Sequence, residues 1–181
     1  MKNGKIKTKD LTLTAVMAAI ICIAGPLTVA VGPIPLSLAT FAIYLAGAVL
    51  GPKRGTAAVA LYLLIGMIGV PVFSGFTGGF QKLAGVTGGY LIGYLPCAFL
   101  SGLGGEREGT GQKWMLPALM TAGTAILYVI GTAWFMAQTG NALGAALSLC
   151  VLPFLPGDAA KITAVTLLSA PIRKAIRLQA A

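Results

Sequence analysis

Six apolar segments, separated by glycine, proline and charged residues, take up most of the 181-residue chain. A helix needs roughly 20 apolar residues to cross a hydrocarbon core about 30 Å thick, so this length allows about six spans. Only 9% of the residues are charged, against roughly 25% in a soluble domain. We therefore predict an all-α integral membrane protein with one transmembrane domain over residues 1–181. Its approximate spans are 11–31, 36–50, 55–70, 86–103, 114–136 and 147–171, of which the second and third are short and are expected to be tilted or partly re-entrant.

Basic residues lie almost entirely outside these segments. The formal charge is +9, which in a soluble protein would suggest nucleic-acid binding. Here the charges stand at segment ends, where the positive-inside rule explains them better. With the lysine-rich N-terminus inside, six spans place both termini and all 13 basic residues except Lys82 and Lys161 on the cytoplasmic side. The pattern predicts a multi-pass protein of the cytoplasmic membrane, in contact with the lipid bilayer and without a nucleic-acid partner.

Several kinds of catalytic group are missing from the sequence. It has no histidine, so serine or cysteine catalysis would lack its usual base, and it has no GxxxxGK[ST] motif for ATP. Its three cysteines stand singly in apolar runs, without the spacing of a metal or redox motif. We predict that the protein is not an enzyme and binds neither a metal ion nor a cofactor.

Asp158 and Lys161 are charged residues inside an apolar segment, where a charge is costly and marks a candidate functional site. Pro153 and Pro156 precede them, which predicts that the last helix begins near Pro156 with Asp158 in its first turn. Residues three apart share a helix face, so both side chains should point together into a cavity at outer-leaflet depth. Two interpretations stay open: an ion pair that only anchors the helix, or an acceptor and a cation presented to a polar ligand.

The connection after the third segment has the composition of a small-molecule pocket. Six glycines between residues 75 and 90 would let the backbone approach a ligand, and aromatic rings could form flat walls. Polar side chains among them could supply a few directed contacts. A flexible outer loop has the same composition. The candidate ligand-binding residues here are Phe73, Gly78, Gly79, Gln81, Lys82, Thr87 and Tyr90.

Ala15 and Ala19 stand four residues apart on one face of the first predicted helix. Small residues at this spacing let two helices approach closely within a membrane. The pattern is compatible with packing inside the bundle and with docking of a partner helix.

Short stretches spread over most of the chain resemble those of one family. They are residues 32–38 (GPIPLSL), 45–47 (LAG), 51–55 (GPKRG), 69–73 (GVPVF), 87–93 (TGGYLIG) and 152–158 (LPFLPGD). In this order they resemble the BioY family, the biotin-capturing S components of energy-coupling factor (ECF) transporters. The resemblance implies a six-helix bundle with cytoplasmic termini, high-affinity biotin binding and uptake through an ECF-type ABC transporter. Two alternatives remain: an S component for another vitamin, and a structural membrane protein without a transport role.

The resemblance also implies roles for the candidate residues. Biotin would lie near the outer face, with Asp158 on the ureido N–H groups, Gln81 on the ureido ring or a nearby polar edge, and Lys161 or Lys82 on the carboxylate. The partners would be a transmembrane scaffold (T component) and two ATPase subunits, with Ala15 and Ala19 in the docking surface. Ala39 departs from the pattern, because many relatives carry glutamine there.

Overall fold

The structure, a computed structural model, describes residues 8–29, 36–109 and 111–178. These residues form eight helices and one pair of two-residue antiparallel strands. In chain order the elements are α1 (Thr8–Ala24), β1 (Thr28–Val29), β2 (Leu36–Ser37), α2 (Ala39–Leu50), α3 (Pro52–Met67), α4 (Phe80–Ala84), α5 (Gly88–Gly109), α6 (Met115–Thr139), α7 (Leu143–Cys150) and α8 (Leu155–Leu178). The predicted all-α class is confirmed, but the predicted helix count of six is wrong for the described residues, because the short helices α4 and α7 add to six longer ones.

The largest differences from the predicted boundaries have local causes. α1 ends at Ala24 rather than near residue 31, because Gly25 and Pro26 follow it and a proline interrupts a helix. The last predicted span is divided into α7 and α8, with the break at residues 151–154, where Pro153 lies. α8 begins at Leu155, one residue from the predicted start.

Helix α6 is long and apolar enough to cross a bilayer by itself. α7 and α8 meet the same criterion only as a pair, bent by 48° at their break, and α2 is a shorter apolar helix. Large apolar side chains are exposed on the outside of the bundle, such as Ile23 on α1, Val129 on α6 and Leu167 on α8, each at least 70% exposed. Such a surface is stable against lipid tails rather than water.

Helix α5 occupies the centre of the bundle. It packs most extensively against α6 and also against α2 and α3, while α1 lies on α2 and α3, and α8 packs against α2 and α6. Tyr44 of α2, Tyr62 of α3 and Phe73 are fully buried in the core. The helices that surround α5 therefore supply the walls of any cavity within the bundle.

Glycines bring α2, α3 and α5 into backbone contact at one end of the bundle. A Cβ atom on Gly102 of α5 would lie 2.3 Å from the Pro52 nitrogen of α3. A Cβ atom on Gly55 of α3 would lie 2.6 Å from the Cα of Gly47 on α2. Both distances are shorter than any side chain tolerates, so this packing requires glycine at Gly102 and Gly55.

A buried ion pair closes the same end, which we call the basic end because Lys53, Arg54, Arg107 and Arg173 lie there. The guanidinium of Arg173 on α8 pairs with the Glu108 carboxylate on α5, and the two side chains are only 11% and 10% exposed. The guanidinium also donates to the carbonyl oxygens of Ala48 (2.7 Å) and Gly105 (3.2 Å). One side chain of α8 is therefore bonded to both α2 and α5.

A second ion pair at the basic end is much more exposed. Arg54 on α3 contacts Asp10 on α1 at 2.6 Å, with the arginine side chain 48% exposed. Lys9 on α1 donates to the carbonyl oxygen of Ile176 on α8 at 3.1 Å. These bonds connect the start of α1 to its neighbours, although exposed pairs contribute little to stability.

Candidate ligand-binding site

A cavity opens at the opposite end of the bundle, which we call the pocket end. The space between its walls, counted out to the open mouth and including open solvent, is about 590 Å³. Helices α2, α4, α5, α6, α7 and α8 contribute to its walls, together with the connection after α3. The lining residues are Ser37, Thr40, Phe73, Ser74, Lys82, Thr87, Tyr90, Leu91, Tyr94, Leu127, Tyr128, Cys150, Phe154, Asp158 and Lys161.

Asp158 lies in the first turn of α8 with its side chain only 7% exposed. One carboxylate oxygen, Oδ1, accepts a hydrogen bond from Lys161 Nζ at 3.0 Å. The other, Oδ2, accepts one from the Tyr128 hydroxyl on α6 at 2.5 Å. Asp158 and Lys161 are thus paired and both line the cavity, an arrangement compatible with the anchoring and with the ligand-binding interpretation.

Lys161 connects α8 to the beginning of α2. Its ammonium donates to the carbonyl oxygen of Ser37 at 2.8 Å and to the Thr40 hydroxyl at 2.7 Å. The Ser37 hydroxyl accepts from the backbone N–H of Ala39 and donates to the carbonyl oxygen of Gly25, which holds the start of α2 in place. The polar side of the cavity is therefore a fixed network rather than a set of independent side chains.

Two aromatic walls fit into notches left by helical glycines. Phe73 packs edge-on against Tyr62, and a Cβ atom on Gly66 would lie 2.1 Å from its ring. Tyr90 packs against Gly131, where a Cβ atom would lie 2.3 Å from the ring. Glycines on α3 and α6 thus set the positions of these rings, a contribution that the glycine-rich connection did not reveal.

Helix α4 lies over the cavity and is bonded to α6. The indole N–H of Trp134 donates to the carbonyl oxygen of Gly85 at 2.9 Å. The Gln138 amide donates to the carbonyl oxygen of Ala84 at 3.1 Å. These bonds hold the end of α4, and with it Lys82, against the bundle.

The structure brings six of the predicted ligand-binding residues together in one cavity. They are Phe73, Lys82, Thr87, Tyr90, Asp158 and Lys161. Gln81 is exposed and lies outside the lining, and so do Gly78 and Gly79. Gly78 packs against the Val70 carbonyl, and Gly79 has a positive φ of 95° and donates its N–H to the carbonyl oxygen of Gly66. Ala15 and Ala19 are exposed on α1, away from the core.

The sequence did not single out several neutral residues that complete the pocket. Tyr94 on α5 and Tyr128 on α6 both line it, as does Phe154 in the break before α8. The available signal was a tyrosine hydroxyl within an apolar segment, because a buried hydroxyl needs a hydrogen-bond partner.

Chemically, the cavity suits a small, partly apolar, anionic ligand. Aromatic and aliphatic walls surround one carboxylate, two ammonium groups and several hydroxyls. No cluster of three or more His, Cys, Asp or Glu side chains suited to a metal ion occurs in the described ranges. A few directed polar groups in an otherwise apolar cavity are the usual composition of a site that binds a small molecule.

The fold and this cavity define a helical membrane protein built to hold a small ligand. The structure is similar to a crystal structure of the S component for biotin from an ECF-type ABC transporter, with a TM-score of 0.84 and 32% sequence identity. That similarity covers 96% of this chain and 95% of the other. The BioY family model matches residues 1–178. This chain belongs to the BioY family.

Curated relatives agree with this assignment. A probable biotin transporter BioY of Pyrococcus horikoshii is 36% identical over 164 residues, which cover 91% of this chain and 96% of that protein. The biotin transporter BioY of Thermotoga maritima is 35% identical over 166 residues, covering 92% and 96%. The chain therefore matches these relatives over nearly their whole length.

Proposed function

We propose that this protein captures biotin at the outer face of the cytoplasmic membrane and takes part in its uptake as the S component of an ECF transporter. It is a transport subunit and not an enzyme. The observation that carries the proposal is the cavity, in which a buried carboxylate and two ammonium groups stand among aromatic walls. Membership of the BioY family and the likeness to the S component for biotin support it.

Biotin matches the chemistry of this cavity. Its ureido ring has two N–H donors and one carbonyl acceptor, its bicycle is apolar, and its tail carries a carboxylate. The Asp158 carboxylate has about four lone pairs, and two of them accept hydrogen bonds from Lys161 and Tyr128. The other two can accept hydrogen bonds from the ureido N–H groups. Phe73 and Tyr90 would flank the bicycle. Gln81 and Thr87 remain proposed polar contacts, and Gly78 and Gly79 proposed contacts through the backbone.

Purified protein should bind tritiated biotin with nanomolar-class affinity, roughly 12 kcal/mol of binding free energy. Unlabelled biotin should displace the label, whereas thiamine and riboflavin should not. Thiamine is a cation, and the charged lining residues, two lysines and one aspartate, give the cavity a formal net charge of one positive unit. A folded, monodisperse sample that binds no biotin would refute the proposal, and selective binding of another vitamin would replace biotin as the ligand.

The same assay tests the orientation. The basic end carries exposed Lys53 and Arg54, so the positive-inside rule assigns this end, and with it both termini, to the cytoplasm. The pocket end then faces outward. Intact spheroplasts held on ice should therefore bind as much tritiated biotin as lysed ones. Binding that requires lysis would reverse the orientation.

Ala15 and Ala19 form an exposed small-residue surface on α1, on which we place the T component that works with two ATPase subunits. Changing both to leucine should reduce copurification of coexpressed scaffold and ATPases roughly tenfold, equivalent to about 1.4 kcal/mol, and leave biotin binding unchanged. Ala118→Leu with Ala122→Leu is the matched control, because these alanines are also exposed and four residues apart, but on α6. Equal losses in both double variants would rule out a docking surface specific to α1.

A further inference from the structure

Two lysines line the pocket, and the first of them is fully bonded within the protein. Lys161 Nζ donates to Ser37 O at 2.8 Å, Thr40 Oγ1 at 2.7 Å and Asp158 Oδ1 at 3.0 Å. An ammonium group has three N–H donors, so each donor already has an acceptor. A ligand carboxylate would reach Lys161 only by displacing one of these three oxygens.

The charge of Lys161 is also compensated. Asp158 is its partner, and the two side chains are only 10% and 7% exposed. A second carboxylate placed on Lys161 would lie beside the carboxylate of Asp158, and like charges in a poorly solvated site repel strongly. The pair as a whole therefore offers little net attraction to an anion.

Lys82 is in the opposite situation. It lines the same cavity from α4, and no hydrogen bond or ion pair engages its ammonium within the part of the chain that the structure describes. The hydrogen bonds from Trp134 and Gln138 hold the end of α4 against α6, which keeps the backbone of Lys82 beside the cavity. Once Asp158 and Lys161 neutralise each other, Lys82 supplies the remaining positive charge of the pocket, which matches one carboxylate.

We propose that Lys82 is the residue that recognises the carboxylate of the ligand, and that Lys161 is a positioning residue. Lys161 joins the first turn of α8 to the start of α2 and holds Asp158 toward the cavity. Specificity is thereby divided: Asp158 recognises the ureido end, and Lys82 selects ligands with a free acid. This inference rests on the proposed biotin-binding function and decides which of the two lysines serves the carboxylate.

The test compares biotin with biotinol, in which a hydroxymethyl group replaces the carboxylate. Wild-type protein should bind biotin roughly tenfold to a hundredfold more tightly than biotinol, the usual effect of a hydrogen bond to a charged group. Lys82→Gln should remove this preference by weakening biotin alone, with the Kd of biotinol unchanged within about twofold. Lys82→Arg should keep the preference, and Lys53→Gln, an exposed lysine at the basic end, should change neither Kd.

Lys161→Gln should weaken both ligands by a similar factor and keep their ratio, as expected of a positioning residue. The inference is overturned if Lys82→Gln retains the preference for biotin, if Lys161→Gln abolishes it, or if wild-type protein binds both ligands equally. If Lys161→Gln does not fold, the Lys82 variants decide the question alone. Wild-type protein that binds neither ligand refutes the proposed function itself, a result distinct from a failure of the Lys82 assignment.

Discussion

Asp158→Asn should weaken biotin binding by roughly 100-fold to 1,000-fold, within the usual loss of affinity when one partner of a buried, hydrogen-bonded charge pair in a binding site is removed. The substitution keeps the shape of the side chain but removes its negative charge. That charge belongs to the carboxylate that pairs with Lys161 and accepts a hydrogen bond from the Tyr128 hydroxyl. Lys161 is then left with an uncompensated buried charge, and the ureido N–H groups lose a charged acceptor. Equilibrium binding of tritiated biotin, with thermal unfolding of the same sample, measures both consequences.

Glu106→Gln provides the matched control, because the same charge is removed from an exposed carboxylate at the basic end. Its biotin Kd should equal that of the wild type. Replacing both Asp158 and Lys161 by apolar residues of similar size should restore folding without restoring binding, since paired buried charges can be exchanged for apolar contacts. Biotin binding by that double variant would show that the pair only anchors α8.

Arg173→Gln should lower the free energy of unfolding by about 3–5 kcal/mol, the usual cost of leaving a buried charge unpaired. Glu108 would remain about 90% buried without its partner, and the carbonyl oxygens of Ala48 and Gly105 would lose their donor. Titration with denaturing detergent in mixed micelles measures the change. The site is 15 residues, or about 22 Å of helix, from Asp158, so the biotin Kd of folded protein should stay the same.

The comparison for this variant is Arg54→Gln, an identical substitution in the exposed ion pair with Asp10. An exposed ion pair contributes about 0–1 kcal/mol to stability. Arg173→Gln should therefore lower the free energy of unfolding several times more than Arg54→Gln does. Similar costs would mean that burial does not distinguish the two pairs and that water reaches Arg173.

Long apolar segments and prolines predicted much of the fold. α6 and the start of α8 lie within a few residues of their expected positions, because segment length and Pro153 with Pro156 act locally. The helices α4 and α7 could not be predicted in the same way. α4 has five residues after Gly79 and is held by bonds from α6, about 50 residues further along the chain. A contact of this kind is a property of the packed bundle, not of the local sequence.

Some residues of the candidate site could likewise be predicted from the sequence, and others could not. Asp158 and Lys161 were predictable because a charge in an apolar segment is costly and therefore conspicuous. Tyr128 and Thr40, which bond to this pair, carry no charge and resemble ordinary packing residues in the sequence. Tyr128 meets Asp158 across 30 residues through the packing of α6 beside α8. The polarity of Gln81 predicts a ligand contact, but Gln81 is exposed and lies outside the cavity lining, whereas Lys82 lines the cavity.

The glycine contacts at the basic end also determine which parts of the helix bundle can open transiently. Where the backbones of α2, α3 and α5 touch at Gly102 and Gly55, no layer of side chains can repack to absorb a displacement. Sliding or tilting these helices would require their separation, so their amides there should exchange with solvent slowly. Openings that admit and release a ligand should then occur at the pocket end, through α7 and the connections between helices, while the end of α4 stays bonded to α6.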